Sequence, residues 1–162
     1  MNKELTNKIN TMAEVDQDAR FNANNKFIVY SIDSVHEIKL KEIVKENGYP
    51  TKEMIGEEGM EKLWLLVQHV EFDTSFQEGF LNNCDFNPRE HMFLYDRIKI
   101  NQGLDQKFGT QFVKIIDLEK SNNERVKGGW ITVEDYIEKH NSEEDKKIRL
   151  KKNDDGSAEY IV

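Results

Sequence analysis

The sequence predicts a mainly α, helical bundle-like single domain with a small β-hairpin element in its C-terminal third. Three observations predict it. Apolar residues recur at three- and four-residue spacing through most of the first 105 positions. Only two prolines and nine glycines interrupt 162 residues. Asp154-Asp155-Gly156 sits between two mildly alternating arms near the end. A chain of this length can bury a hydrophobic core without disulfide or metal staples.

The first helix is expected over about 3–21, where Leu5, Ile9, Met12 and Ala19 share one face; NANN at 22–25 ends it. A second amphipathic helix is expected over about 33–46, with Val35, Ile38, Ile43 and Val44 as its apolar residues. Asp33 or Ser34 would cap it and Gly48 would stop it. YPTKEMIG at 49–56 reads as a turn holding at most one helical turn. A long helix follows over about 57–83. Asn87-Pro88 opens the next helix, with Asn as N-cap and Pro at the first helical position, and that helix ends near Gly103. FGTQFVKIIDL at 108–118 and ERVKGGWIT at 124–132 are rich enough in β-branched and aromatic residues for short strands around SNN. Thr132 caps a short helix over TVEDYIEKHN. The tail at 147–162 reads as a hairpin or a mobile end, mobile from about 153. One domain over 1–162 is therefore expected, helical to about 105 and mixed over about 106–162.

Composition narrows the function. The net charge is −8, from 31 acidic and 23 basic residues. That balance opposes binding to nucleic acid or to an anionic membrane and suits a basic protein partner. The longest apolar run, LWLLV at 63–67, is too short to span a bilayer. The N-terminus has no apolar signal-like core, so a cytoplasmic protein is the expectation. Cys84 is the single cysteine, so no internal disulfide can form; it reads as a small half-buried apolar residue.

LLVQHVEFDTSFQ at 65–77 puts polar residues where a buried helix needs apolar ones. On a wheel of about 100° per residue, Leu65, Leu66, Phe72, Phe76 and Phe80 lie within about 60° of His69. Glu71 and Glu78 lie opposite. Asp73 and Gln77 continue the stripe at i+4 and i+8, and Gln68 sits at its margin. The first helix places Asp16 inside its apolar arc, with Arg20 one turn on. In the fourth helix Phe93, Leu94 and Ile100 surround Arg97, with Asp96 on the flank. Unpaired buried charges are costly, so one cluster of Asp16, Arg20, His69, Asp73, Gln77 and Arg97 is expected.

DQDAR at 16–20, QH at 68–69 with Asp73 and Gln77 following, YDR at 95–97 and QKFGTQ at 106–111 resemble an uncharacterised bacterial family. That family carries DQ-x-x-R, QH-x-x-x-D-x-x-x-Q, DR and Q-x-YGTQ signatures in this order. GYP at 48–50 followed by Gly56 is similar to its Gly-Trp-Pro turn. The resemblance covers about residues 12–111. Tyr49 replaces the family's Trp, and Phe108 replaces its Tyr, which removes a hydroxyl. A shared polar site is implied, with no activity attached.

The enzymatic or ligand-binding reading casts His69 as acid/base and Asp73 as its orienter. Arg20 and Arg97 would hold a small anionic ligand, with Gln77 and Gln111 as positioning donors. Asp16, Gln17, Gln68, Asp96 and Thr110 complete the candidate ligand-binding set. Hydrolysis or another proton transfer is the reaction class. The opposing reading makes the polar cluster structural and the protein an acidic interaction module, such as an immunity or adaptor protein. No cofactor and no metal are expected. His69 and Asp73 offer two ligands without a third, and His36 and His91 read as solvent-facing. No serine or cysteine lies beside a base as a covalent nucleophile.

Overall fold

The computed structural model describes all residues except 24, 71–72, 146 and 162. Among the described residues it holds seven α-helices and one antiparallel two-stranded hairpin, which is the mainly α class the periodicity predicts. The chain forms two compact units, residues 1–86 and 87–162.

The first unit contains α1 (Lys3–Asn22), α2 (Lys26–Asn47), α3 (Lys52–His69) and α4 (Thr74–Asn83). α1 begins where the Asn2 side chain accepts from the Leu5 amide, and it buries Leu5, Ile9, Met12, Ala13, Asp16 and Ala19. α2 begins at an Asn25 cap, well before the expected 33, and buries Asp33, His36, Leu40 and Ile43. Val35 and Ile38 were expected inside, and both are exposed. The inward arc follows Leu40 and Ile43 back through His36 and Asp33, which turns Val35 and Ile38 outward. YPTKEMIG carries the first turn of α3, and Gly56 kinks the helix at φ 76°. That conformation suits a residue without Cβ.

The single helix expected over 57–83 is two helices. Val70 leaves the helical region, and Asp73 caps α4 by accepting from the Phe76 amide at 2.9 Å. An aspartate that satisfies the first turn of a new helix competes with continuing the old one. Glu71 and Phe72, used on the wheel, lie outside the described residues. Gln77 is fully buried, and its Nε2 donates to the Val67 carbonyl at 2.8 Å. It thus occupies one of the carbonyls that the end of α3 leaves open. Tyr49 meets Phe80 edge-on at 5.2 Å, and Phe76 meets Phe80 at 5.0 Å. A Cβ on Gly79 would lie 2.1 Å from the Tyr49 hydroxyl. Gly79→Ala should therefore displace that ring and lower stability by about 1–3 kcal/mol, read by chemical denaturation.

Cys84 is partly buried beyond α4, and burial pushes its thiol up to about 12. Its reaction with a thiol reagent near pH 8 should be far slower than that of the denatured chain. Equal rates in the two states would contradict this.

The second unit contains α5 (Pro88–Asn101), α6 (Leu118–Lys127), α7 (Val133–Glu143), β1 (Arg149–Lys152) and β2 (Ala158–Ile161). Asn87 and Glu90 form a reciprocal capping box around Pro88. β1 pairs antiparallel with β2, Leu150 opposite Tyr160, so the tail is a hairpin. The two strands expected over 108–118 and 124–132 do not form. Residues 118–127 are α6, capped by Asp117. Only Ile115 in the earlier stretch makes a bridge, to Ala158. Charged LEKSNNERVK favours a helix once Asp117 caps it, and this outweighs the strand propensity of the flanking residues. Ile115, Leu118, Val133, Ile137, Ile148 and Ala158 are the hydrophobic centre, with Leu150 and Tyr160 against it.

Candidate functional site

Three helices of the first unit converge on one charged cluster. Asp16 of α1 is 1% exposed, and it meets Arg20 one turn later. The Asp16 oxygens lie 2.9 and 3.0 Å from Nδ1 of His69, the last residue of α3. Gln17 Nε2 donates to the same carboxylate at 2.7 Å. Arg20 spans the helices: Nη2 donates to Asp33 of α2 at 2.5 Å. Its Nε lies 3.2 Å from both Asp16 oxygens and 3.0 Å from His69 Nδ1. An Nδ1 that donates to Asp16 cannot also accept from Arg20. The carboxylate is the stronger acceptor for both donors, so Nδ1 carries the proton and Arg20 Nε–H serves the two Asp16 oxygens.

The electrostatics follow. Burial raises the Asp16 carboxyl, but the His69 contact, Arg20 and Gln17 outweigh it and hold the group at about 2. Burial lifts Asp33 above the ordinary carboxylate value, with Arg20 opposing. His36 of α2 is buried rather than solvent-facing, and burial depresses its basicity against the pull of Asp16. Its Nδ1 is enclosed with no hydrogen-bond partner among the described residues.

In acid the His36 and Asp16 shifts both cost stability, and the Asp33 shift opposes them. His36 binds a proton more readily unfolded than folded, so its neutral burial favours the fold above about pH 6.5. Stability should fall as pH drops through that value. A His36→Phe variant should lose this part of the slope, followed by urea unfolding at several pH values. Asp16 acts lower: its contribution is complete above about pH 4 and is lost toward about pH 2. Asp33, with a raised value, opposes that trend.

The expected His69–Asp73 pair does not form. Asp73 caps α4 and faces Lys41 Nζ at 3.3 Å, because the break after His69 takes it off the His69 stripe. Gln68 is buried on α3, and Gln77 braces the end of that helix. Of the residues expected to cluster, Asp16, Arg20 and His69 come together in the first unit, joined by Asp33 and His36, while Asp73 and Gln77 find other partners. The sequence reading missed these two. A wheel centred on Leu40 and Ile43 places both of them inward at i, i+3, i+7 and i+10 spacing, which was the available signal.

Asp96, Arg97, Thr110 and Gln111 belong to the second unit, and three of them build a loop. Asp96 is fully buried and accepts from the amides of Lys107, Phe108 and Thr110 and from the Thr110 hydroxyl, at 2.7–3.2 Å. Burial raises its carboxyl against those donors. Gln111 Nε2 reaches the Phe93 carbonyl and Thr110 Oγ1. Gln106 accepts from the Gln111 amide and donates to the carbonyls of Gln111, Val113 and Lys114. Phe108 is buried and stacks edge-on with Tyr95, so an aromatic ring suffices there. Arg97 is partly buried on α5. Arg125, also unremarked in the sequence, is wholly buried and donates to the carbonyls of Ile131 and Phe108, its guanidinium 4.1 Å from the Trp130 ring. Burial lowers it to about 10.

Among the described residues no group of three or more His, Cys, Asp or Glu is placed to hold a metal, and no helix is long and apolar enough to cross a membrane. Comparison of the chain with models of protein families, with characterised proteins and with solved structures gives no match.

Proposed function

We propose that the first unit carries a small-molecule site in which His69 acts as a general acid/base, oriented by Asp16, on an anionic substrate or ligand. The observation that carries this reading is the buried Asp16 carboxylate at 2.9 Å from His69 Nδ1. A carboxylate so placed fixes the tautomer and directs Nε2 outward as the working nitrogen. No hydrogen bond from a described residue reaches His69 Nε2 or Arg20 Nη1, and these side chains are 17% and 27% exposed. A proton-transfer group and a guanidinium held in one cluster favour a carboxylate or phosphate ester. Proton transfer, including hydrolysis, is the reaction class this supports. Asp73, Gln77, Asp96, Thr110 and Gln111 have structural partners of their own and are left out of the site.

The test is a library of anionic metabolites screened by ¹⁵N imidazole NMR. A ligand should shift the His69 nitrogens, and His69→Gln should abolish binding while leaving the unfolding midpoint within about 3 °C. No shift of His69 across the library would refute the reading.

A second reading is favoured by the way Asp16, Arg20 and Asp33 satisfy one another. The cluster is then structural, fixing how three helices pack, and the net charge of −8 serves contact with a basic protein. Under that reading His69→Ala should cost about 3 kcal/mol or more, because it leaves Asp16 underpaired.

A further inference from the structure

The N-terminal half of α2 has its polarity reversed. Asp33 and His36 point inward, while Phe27, Ile28, Tyr30, Val35 and Ile38 are exposed, Phe27 by 77% and Ile38 by 61%. With Ser31 and Ser34 they fill an arc of about 160° on a helical wheel. No ionised side chain lies within that arc between Phe27 and Ile38. A chain with 31 acidic residues keeps this one helix face free of them. Contiguous apolar surface of this kind marks contact with another surface.

We infer that this face is the two-fold interface of a homodimer, α2 packing antiparallel on α2 of a second copy. Two features select a second copy. The first is self-complementarity. Ser31 and Ser34 lie midway between Phe27 and Ile38, so two antiparallel helices crossing there approach closely at the serines. Phe27 of one copy then meets Ile38 of the other, and Tyr30 meets Val35. Such a match of one patch with itself is what an isologous interface requires. The second is area. At roughly 200 Å² for a whole aromatic side chain, the exposed parts of these five come to about 500 Å² per copy, or about 1,000 Å² for a pair. That reaches the lower bound for a specific interface, about 1,000 Å² in total.

Charge sets the salt dependence. Two copies at −8 repel, and salt screens the repulsion while leaving apolar contact intact. The dimer should tighten with ionic strength, whereas a complex with a basic partner would weaken.

The experiment is sedimentation equilibrium of the full chain from ~1 to ~100 µM, at ~0.05 and ~0.5 M salt. The expected result is a mass of two chains, tighter at the higher salt. Phe27→Glu and Ile38→Glu, both at exposed positions, should weaken association at least ~10-fold with circular dichroism unchanged. A Ser31→Cys/Ser34→Cys variant in a Cys84→Ala background, whose two cysteines face each other across the two-fold axis, should form a disulfide-linked dimer on oxidation, which reports the crossing point even if a glutamate variant folds poorly. A single-chain mass at the highest concentration overturns the inference. So does a dimer that survives both glutamate substitutions, or a wild-type monomer that instead binds lipid vesicles.

Discussion

Asp16→Ala should lower the stability of the first unit by about 3–5 kcal/mol, the usual result of removing one partner from a buried ion network. The carboxylate holds Arg20, His69 and Gln17 at once, and Arg20 in turn holds Asp33. Without it the guanidinium keeps one carboxylate, and Nδ1 of His69 loses its acceptor. At about 2–4 °C per kcal/mol for a chain of this length, the midpoint should fall by about 6–20 °C. Asp16→Asn keeps the shape and one acceptor oxygen and should fall less. Calorimetry of the pair checks this. A loss below about 1 kcal/mol for the alanine variant would mean that the carboxylate's attractions barely exceed its desolvation.

Asp96→Ala should be as damaging to the second unit, for a different reason. Among the described residues three amides and a hydroxyl, and no cation, hold this carboxylate. Its removal strands four donors, three of them buried, and a loss of about 3 kcal/mol or more follows. The damage should be local. Hydrogen exchange at the amides of Lys107, Phe108 and Thr110 should accelerate before the rest of the unit responds. Thr110→Val should add little on top of Asp96→Ala, because both remove the same bond. Full additivity, or unchanged exchange in this loop, would contradict the assignment.

These two residues show what sequence patterning can and cannot reach. Polarity inside an apolar arc singled out Asp16, Arg20 and His69, and the structure brings them together. The same reasoning failed at Asp73, because a wheel assumes one continuous helix and Asp73 begins a new one. It passed over Asp33 and His36 because Val35 and Ile38 offered a more hydrophobic face, which the fold leaves exposed. It flagged Asp96 as polar and inward without indicating its partners, since backbone amides carry no sequence signature. Helix caps at Asn87 and Thr132 were legible because capping is local. α6 was not, since strand-like residues on both sides of a neutral SNN obscured the Asp117 cap.

The bridge from Ile115 to Ala158 has a consequence for how the chain is made. Each residue's amide donates to the other's carbonyl at 2.8 Å, and Tyr160 hydrogen-bonds the Gly109 carbonyl. The start of the second unit's core therefore waits on its last strand. The first unit has all its helices by Asn83 and can begin folding while the rest is synthesised. The second closes over a long stretch of chain and completes only once Ala158 and Tyr160 have left the ribosome. Until then Ile115, Leu118 and Val133 have no lid, and chains stalled in this interval are the ones chaperones and proteases would meet.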